Sequence, residues 1–451
     1  MLVAVVGGGI TGLAAAWELQ SRGIDYVVLE ASDRLGGKIV TERADGFVIE
    51  GAADAFLTQK PWAWQLCREI GLGDRLIGTN DAQRTVYVLR GGRLHPMPRG
   101  MRLIVPLDAA GLLESDLLSP EGKGRMLAEP EIPARQEAGD ESLASFVRRR
   151  FGEEALEVFG NSLLAGIHVG DSERLSLQAT FPNYAALESA HGSITRAALA
   201  AAPAPGAAGA PSSMFVSFPS GVSELVEGLQ AHLTGDLRTG TAVSRLDPDG
   251  VLRTGTGEVI KAGAVVLTVP PGQAGDLLRE IAPELAWELG VLRTESSATV
   301  SLGFRAEQVG RPLDGFGFVV PHSEPTHLLA CTWSSTKLPH RAPEGHVLLR
   351  AFFGGPWHGS DVALPDDELV DLALAELRPL LDIGGAPVLS RVFRWCDANP
   401  QYDVGHLERV ARLRSLCPPW LHLAGCAYGG VGIPDCVRQG REAARDALRG
   451  L

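Results

Sequence analysis

The sequence predicts an α/β fold in which a Rossmann-like dinucleotide-binding domain is interleaved with an α+β substrate domain and a helical subdomain. Three observations predict it. An apolar run, a glycine-rich turn and an amphipathic helix open the chain, and a second apolar run with a glycine-rich crossing and a helix closes it. Between them, a long stretch alternates apolar and polar residues with the period of β-strands. The two ends of the chain therefore belong to one nucleotide-binding unit.

The first element is a buried parallel strand, expected from the wholly apolar run Leu2 to Val6, which leads into a G-x-G-x-x-G turn. In such a turn the first glycine allows a tight bend, the second lets the backbone approach a pyrophosphate, and the third lets the helix pack closely on the strand. The pyrophosphate then faces free amide groups at the positive end of the helix. The candidate contacts in this turn are Gly7, Gly8, Gly9, Ile10, Thr11 and Gly12.

A carboxylate at the expected distance supports nucleotide binding. Tyr26 to Leu29 is predicted to form the second strand. Glu30, with Ala31 beside it, follows about 20 residues after the turn, where an acid accepts hydrogen bonds from a ribose. A carboxylate there repels a 2'-phosphate, so NADP fits poorly, but the motif alone leaves NAD and FAD open.

A second glycine pair favours FAD. Arg34, Gly36, Gly37 and Lys38 resemble the R-x-G-G-R/K signature that follows the ribose acid in flavin amine oxidases and their relatives. The resemblance implies that these glycines bring backbone close to the pyrophosphate and the flavin, and that the basic residue adds positive charge. We therefore predict FAD as the cofactor.

Length and composition limit the possible partners. A chain of 451 residues exceeds what one hydrophobic core usually organises, so two domains are expected. The formal net charge of -13 argues against nucleic acid as a partner. The six cysteines form no C-x-x-C pair, so neither a disulfide framework nor a metal site is predicted.

The start of the sequence and its hydrophobicity predict a cytoplasmic protein. No signal peptide is expected, because the first strand begins directly after Met1. The sequence has no uninterrupted run of about 18 apolar residues that could span a membrane. Met101 to Leu118 is apolar but contains charged residues, and we interpret it as a helical segment of the substrate domain. Peripheral membrane contact by this region stays open.

The chain returns to the nucleotide-binding unit twice. Residues 1–85, 214–290 and 390–451 are predicted to form the FAD-binding domain, and residues 86–213 and 291–389 the substrate-binding domain, with its helical part at about 95–210. Hairpins are predicted to turn at Gly46 and at Gly91 and Gly92, and helices are predicted over Pro61 to Ile70 and Asp366 to Leu381. An antiparallel sheet is expected from about Thr294 to Phe353. Loops are expected over Ser119 to Asp140 and over residues 200–213.

The end of the chain repeats the order of strand, glycines and helix. Trp420 to Ala424 is the predicted strand, Gly425 begins the crossing, and Pro434 suits the first position of a helix that continues through Arg449. The positive end of that helix would face whatever lies beside Val431, Gly432 and Ile433 and would stabilise negative charge there.

Long motifs resemble the bacterial protoporphyrinogen/coproporphyrinogen oxidase family, in order and over nearly the whole chain. They are SLLAGIHVGDSERLSLQATFP, HGSITRAAL, FVVPHSEPTHLLACTWSSTKLPHRAPEGHVLLRAFFGG, RWCDANPQYDVGHLERV and GVGIPDCVRQG. The tail with Ile433, Pro434, Asp435, Gln439 and Gly440 is more similar to the coproporphyrinogen III oxidases of the coproporphyrin-dependent haem route.

The resemblance implies further site residues. Besides the residues already named, the family's flavin contacts correspond to Ala52, Ala53, Asp54, Ala55, Val243, Trp395, Gly425, Val431, Gly432 and Ile433. The alanines at 52 and 53 replace a usual Gly-Pro, and His168 replaces a common tyrosine, which puts a stacking or phenolic role there in doubt. No catalytic residue is predicted.

The implied reaction is the oxidation of a porphyrinogen to a porphyrin with loss of six electrons. FAD takes up hydride from the macrocycle and molecular oxygen reoxidises it to give hydrogen peroxide, so the protein supplies orientation, a dry pocket and electrostatics. The substrate's propionates call for cations at the pocket rim. The candidates are Lys60, Arg196, Lys337 and Arg341. Transient contact with other haem-pathway enzymes is a further expectation.

Other functions stay open. A protoporphyrinogen IX oxidase is the nearest alternative, followed by an amine oxidase or a carotenoid desaturase. Amine oxidases usually place an aromatic pair facing the flavin, and the tail GCAYGGVGIPD does not clearly supply one. A non-enzymatic carrier of the GDP-dissociation-inhibitor type shares the architecture, but the intact glycine turn and Glu30 argue against it.

Overall fold

A five-stranded parallel sheet forms the centre of the nucleotide-binding part. The computed structural model describes residues 2–201 and 210–449, so most of the loop predicted over 200–213 lies outside the described residues. The strands, in spatial order, are Asp236–Arg238, Tyr26–Leu29, Val3–Val6, Ala264–Leu267 and Leu421–Leu423. The central strand Val3–Val6 is buried at every position, as its wholly apolar sequence predicts. Strands from both ends and from the middle of the chain thus share one sheet.

Helices surround this sheet, and the first and the last of them cross closely. They are Ile10–Ser21, Trp62–Glu69, Ser223–His232, Pro271–Leu278, Pro283–Gly290, His406–Leu416 and Ile433–Arg449. A Cβ placed on Gly440 would lie 2.1 Å from the carbonyl oxygen of Thr11. Because only a glycine fits this contact, the C-terminal helix packs directly on the helix that follows the glycine turn.

Short antiparallel pairs complete this part of the molecule. The predicted hairpin at Gly46 is confirmed, with Asp45 and Gly46 in left-handed backbone conformations. The short strands are Thr41–Ala44 with Phe47–Glu50; Phe56–Leu57, Phe215–Ser217 and Ile77–Gly78; and Val243–Asp247, Val251–Thr254 and Val259–Lys261.

A seven-stranded sheet forms the second layer. Its order is Leu389–Pro400, Thr294–Arg305, His346–Gly354, Ala330–Trp333, Gly315–Val319, Thr85–Arg90 and Arg93–Pro96. The predicted antiparallel sheet is present, with one parallel pair between Gly315–Val319 and Thr85–Arg90. The helices Ser334–Lys337, Gly355–His358 and Asp366–Leu381 connect or cover its strands, the last with the predicted bounds. Strand Leu389–Pro400 continues across the predicted boundary at residue 390 and pairs with Thr294–Arg305.

The third region is largely helical. Its helices are Ala109–Glu114, Pro120–Leu127, Leu143–Phe151, Glu153–Ala155, the π-helical segment Leu156–Leu164, the 3₁₀ turn Ala165–His168, Leu177–Thr180, Pro182–His191 and Ile194–Ala200. The described ranges contain no helix that is both long and apolar enough to cross a bilayer.

Two predictions for this region were wrong. Residues after Ser119 form the helix Pro120–Leu127 instead of a loop, because the Ser119 hydroxyl caps it by accepting from Gly122 N and Pro120 suits its first turn. The stretch from Met101 is not one helix but a small hairpin, Met101–Arg102 with Val105–Pro106, followed by the helix Ala109–Glu114.

Candidate active site

The glycine turn leaves an open, uncapped helix end. Gly7 has a φ of 105°, and a Cβ on Gly12 would lie 2.0 Å from the carbonyl oxygen of Gly7, so both positions require glycine for the turn itself. Gly9 differs: among the described residues, a Cβ there would have Gly37 Cα as its neighbour at 3.9 Å. The helix from Ile10 to Ser21 has no side-chain cap. Its first amides, on Ile10, Thr11 and Gly12, face this open space and suit an anion.

The second glycine pair lies against the first. Gly36 N donates to Gly8 O at 2.8 Å, and a Cβ on Gly37 would approach Gly9 Cα to 3.1 Å. Arg34 holds this loop, because its Nη2 donates to Gly37 O at 2.7 Å. The structure therefore brings together the two glycine segments that the sequence assigns to one cofactor.

Glu30 lies at the glycine turn, with its carboxylate towards the backbone of Gly8. Its Oε2 accepts from Gly8 N at 2.6 Å and its Oε1 accepts from Ser32 N at 2.8 Å, while Ala31 is exposed between them. The backbone carbonyl of Glu30 accepts from Thr241 N at 2.8 Å, which places the start of strand Val243–Asp247 beside the backbone of Glu30. Val243 is thereby close to the predicted ribose position.

The C-terminal crossing reaches the same place. Thr268, which follows the strand Ala264–Leu267, lies 2.6 Å from a Cβ built on Gly7 and 3.9 Å from one built on Gly425. Gly425 has a φ of 141°, and the crossing ends at Val431 and Gly432, where the helix Ile433–Arg449 begins. Both ends of the chain therefore converge on one edge of the parallel sheet.

Lys38 links three segments. Its Nζ donates to Ala398 O and lies 3.8 Å from Cys426 Sγ. The lysine therefore connects the second glycine pair with the long strand Leu389–Pro400 and with the C-terminal crossing.

The loop from Gly51 to Ala55 is held by cations and by an indole. Trp395 Nε1 donates to Gly51 O at 2.8 Å, and Arg350 Nη1 donates to Ala52 O at 2.6 Å. Both oxygens of Asp54 lie 3.0 Å from Lys337 Nζ, and Oδ2 lies 3.1 Å from Arg350. Burial alone would raise the pKa of Asp54, but the two cations outweigh it and lower the pKa to about 2. Ala53 packs on the core around the parallel sheet, and Ala55 is half-buried.

A histidine and a tyrosine lie beside the C-terminal crossing. Tyr402 Oη donates to Cys426 O at 2.5 Å and accepts from Gly430 N at 2.8 Å. The ring of His168 lies 5.5 Å from that of Tyr402, with the two ring planes tilted by 49°. Burial lowers the pKa of His168 to about 4, and the Lys60 ammonium adds to the shift. His168 is therefore neutral, and its buried Nδ1 has no hydrogen-bond partner in the described part of the chain.

The four candidate substrate cations differ in their surroundings. Lys60 is 44% exposed and its Nζ lies 2.6 Å from Asp435 Oδ2, in the first turn of the C-terminal helix. Arg196 is exposed on the helix Ile194–Ala200. Lys337 forms an ion pair with Asp54.

Arg341 does not fit the rim position predicted for it. Its side chain is 1% exposed, and the guanidinium donates to Phe218 O, Ser217 Oγ and Glu50. It therefore serves as a buried structural arginine, and its place in a charged motif gave no sign of this.

Sequence reasoning missed three residues of the site. Tyr402 lies within the quoted motif RWCDANPQYDVGHLERV but carried no recognisable pattern. Arg350 had a detectable signal, since it is the one charged residue in the otherwise apolar run VLLRAFF. Asp435 appeared only as part of the tail, although its carboxylate is the partner of Lys60.

The residues present fit FAD. The open space beside Gly9, the free amides of the first helix and the carboxylate of Glu30 form the cradle that a dinucleotide requires. A second helix starts beside Val431 and Gly432, on the same edge of the sheet. A dinucleotide site closed by both chain ends follows from this geometry.

Comparisons with known proteins agree with this site. The family model for flavin-containing amine oxidoreductases matches residues 10–448. Coproporphyrinogen III oxidase of Bacillus subtilis is 36% identical over 99% of this chain and 97% of its own length. The enzyme of that name from Propionibacterium freudenreichii is 34% identical over 98% and 90%. A crystal structure from Exiguobacterium sp. 255-15, provisionally named a protoporphyrinogen oxidase, is 33% identical, with a TM-score of 0.88 and 99% of each chain covered.

Proposed function

The chain belongs to the family of flavin-containing amine oxidoreductases, and within it we propose that the protein oxidises coproporphyrinogen III to coproporphyrin III, a step of haem biosynthesis. The observation that carries the proposal is the near-complete alignment with relatives named for this reaction. The cofactor cradle at both chain ends supports it, because a six-electron oxidation needs a redox cofactor that protein side chains do not provide.

The chain's own residues bind and orient the cofactor. When bound, FAD supplies the uptake of hydride from the substrate and its transfer to an acceptor. The amides of Ile10 to Gly12 would bind the pyrophosphate, and Glu30 would bind the ribose. The start of the helix Ile433–Arg449 would favour negative charge beside Val431 and Gly432.

The loop from Gly51 to Ala55 has a positioning role. Arg350 and Trp395 hold its carbonyls, and the Asp54 carboxylate is fixed between Arg350 and Lys337. We assign Lys337 to this loop and not to the substrate, because its ammonium is already engaged by both Asp54 oxygens. A loop fixed in this way would help to keep water from the reacting atoms once FAD is bound.

Lys60 and Arg196 are the residues we propose for the substrate's carboxylates. Both are solvent-accessible cations, and Lys60 lies at the start of the C-terminal helix through its contact with Asp435. A lysine ammonium has three donors, so it can bind a propionate while it keeps one carboxylate partner. In this proposal the two cations offset the negative charge of the substrate's propionates.

His168 is the residue we propose as a hydrogen-bond acceptor for the macrocycle. A neutral imidazole nitrogen without a partner can accept a hydrogen bond from a pyrrole N–H and so orient the macrocycle. His168 is neutral because of its burial, and its Nδ1 has no partner among the described residues. The His168 ring contacts the ring of Tyr402, whose hydroxyl is hydrogen-bonded to the backbone of Cys426 and Gly430. This contact fixes the imidazole beside the C-terminal crossing.

The remaining partners belong to the same proposal. Molecular oxygen is the acceptor, and hydrogen peroxide is released. The six cysteines are unpaired, which supports a cytoplasmic location. Contact with other enzymes of haem synthesis would be transient.

Protoporphyrinogen IX is the second candidate substrate, supported by the name of the Exiguobacterium structure. The two substrates differ in their acidic groups: coproporphyrinogen carries four propionates and protoporphyrinogen two. A site built on Lys60 and Arg196 therefore favours coproporphyrinogen.

A substrate comparison tests the proposal. Both porphyrinogens are prepared anaerobically, and porphyrin fluorescence is followed with FAD-replete enzyme. We expect higher kcat/KM for coproporphyrinogen III, and Lys60→Gln should raise KM about tenfold for that substrate, the loss of about one charged contact. Lys123→Gln, at a lysine that is half-buried like Lys60, is the matched control. Higher kcat/KM for protoporphyrinogen IX would replace the first substrate with the second.

A further inference from the structure

Two histidines and an aspartate meet at one edge of the seven-stranded sheet. His327 precedes the strand Ala330–Trp333, while His358 and Asp361 follow the neighbouring strand His346–Gly354. These two strands are antiparallel, so the start of one and the end of the other lie at the same edge. One ligand atom from each of the three side chains lies within 4.8 Å of the other two.

We propose that His327, His358 and Asp361 bind a divalent first-row transition ion, with Zn²⁺ as the preferred member of that class. Two imidazole nitrogens and one carboxylate oxygen are ligands that zinc accepts, and water would fill the open position. Mg²⁺ and Ca²⁺ prefer oxygen ligands, so two imidazoles exclude them. The spacing of these residues in the sequence has no metal-binding pattern, and the fold alone brings them together.

The distances need only small adjustments. His327 Nδ1 lies 2.8 Å from Asp361 Oδ2, and the two histidine rings are 4.8 Å apart. Zinc–ligand bonds of about 2.0–2.2 Å with tetrahedral angles place ligand atoms about 3.3 Å from one another. The ion would replace the proton between His327 and Asp361, which then separate by about 0.5 Å, and His358 would move inward by at most about 1.5 Å.

The surrounding structure fixes the backbone at His327 and buries the carboxylate of Asp361. Glu376 Oε1 accepts from His327 N at 3.1 Å, and the same carboxylate accepts from Thr326 Oγ1. The carboxylate of Asp361 is buried, with 6% of the residue exposed, so a cation beside it offsets the cost of burying its charge. The imidazole of His358 makes no hydrogen bond within the described ranges, which leaves a nitrogen available.

The ion would join the loop that contains His327 to the helical turns that contain His358 and Asp361. His322, in the loop before His327, stacks on Trp357 with ring centroids 4.9 Å apart. Its Nδ1 lies 3.0 Å from Asn161 Nδ2, in the π-helical segment Leu156–Leu164. A metal at this edge would therefore fasten the sheet to the helical region, with a stabilising and not a catalytic role.

Zinc binding to FAD-replete, chelator-treated enzyme tests the site. We expect one Zn²⁺ per chain in competition with a chromophoric chelator, and a thermal midpoint that rises with Zn²⁺ as mass action requires. His358→Gln, His327→Gln and Asp361→Asn should each weaken Zn²⁺ binding at least about tenfold. His322→Gln, a neighbouring exposed histidine outside the trio, should bind Zn²⁺ like the unaltered protein.

Three results would overturn the site. One is absence of saturable Zn²⁺ binding, and another is an equal loss of binding in His322→Gln and His358→Gln, which would indicate general adsorption to surface histidines. The third is unchanged Zn²⁺ affinity in His358→Gln. This variant keeps the test valid if Asp361→Asn fails to fold, because His358 is only half-buried and unbonded. Flavin content and oxidation rate without metal should match the unaltered protein.

Discussion

At the scale of single residues, Gly9 and Gly12 separate cofactor binding from folding. Gly9 has a φ of -70°, which any residue adopts, and open space where its Cβ would point. A Cβ added to Gly12 would lie only 2.0 Å from the carbonyl oxygen of Gly7. Gly12 is therefore required by the turn, whereas we propose that Gly9 is required by the cofactor.

We expect Gly9→Ala to weaken FAD binding at least about tenfold while changing the unfolding free energy of the apoprotein by less than about 1 kcal/mol. Gly12→Ala should cost about 2 kcal/mol of apoprotein stability, because the added methyl overlaps the backbone. Flavin titration and urea unfolding of the two apoproteins measure both quantities. Equal losses of stability in the two variants would show that Gly9 has no separate role.

His168 gives a pH dependence whose sign is set by its burial. Its pKa falls from 6.5 to about 4 in the folded protein, so between these values the unfolded chain binds a proton that the folded chain does not. The contribution of His168 to the unfolding free energy is therefore fully present above pH 6.5. It is lost as the pH falls towards 4, and the total loss is about 3 kcal/mol.

We expect His168→Phe to make the thermal midpoint fall less steeply between pH 6.5 and 4 than it does in the unaltered protein. The exposed His191→Phe reports the general effect of replacing a histidine. An unaltered slope in His168→Phe would mean that His168 is protonated in the folded state.

Residues of the cradle were predictable where a backbone requirement restricts the residue type. Gly7, Gly12 and Glu30 follow a pattern that turn geometry and ribose binding impose. Arg341 was assigned wrongly because burial of a charged side chain depends on contacts distant in sequence. The contacts of Tyr402 were not predictable for the same reason, since its partners follow it by more than 20 residues.

At the scale of elements, ion pairs fasten the first helix to the last. Glu18 is 2% exposed and its carboxylate accepts from Arg22, Arg441 and Arg445. Burial alone would raise the pKa of Glu18, but these arginines outweigh it and lower the pKa from 4.5 to about 2. The ionised Glu18 carboxylate therefore contributes to the unfolding free energy above pH 4.5, and this contribution is lost as the pH falls through 2.

We expect Glu18→Gln to lower the unfolding free energy at neutral pH by about 3 kcal/mol, because the arginines lose a buried partner. Glu442→Gln is the matched control, since Glu442 pairs with Arg438 on the solvent side of the same helix, and it should cost under about 0.5 kcal/mol. Chemical unfolding of both variants measures the difference. Equal effects would mean that the helix crossing depends on Gly440 and apolar packing alone.

Elements with a strong local pattern were predictable, and those defined by distant pairing were not. Asp366–Leu381 and the hairpin at Gly46 have the predicted positions. The helix Pro120–Leu127 was missed because it is largely polar, with Met126 as its one buried residue. No local pattern showed that Leu389–Pro400 pairs with Thr294–Arg305.

At the scale of the whole molecule, the two ends of the chain and the middle sheet form one site. The glycine turn and the C-terminal crossing meet at Thr268, and Lys38 reaches from the N-terminal loop to Ala398 and Cys426. The seven-stranded sheet contributes Arg350 and Trp395 to the cofactor loop. The cofactor site therefore depends on both layers.

The most direct test measures coproporphyrin formation and oxygen uptake together, with anaerobically prepared coproporphyrinogen III and FAD-replete enzyme. Removal of six electrons by oxygen, with reduction to hydrogen peroxide, consumes three oxygen molecules for each porphyrin. We predict this ratio and a rate that depends on enzyme concentration. At a limiting FAD concentration, the rate should also be lower in Gly9→Ala. Porphyrin formation no faster than the autoxidation of coproporphyrinogen without enzyme would contradict the account.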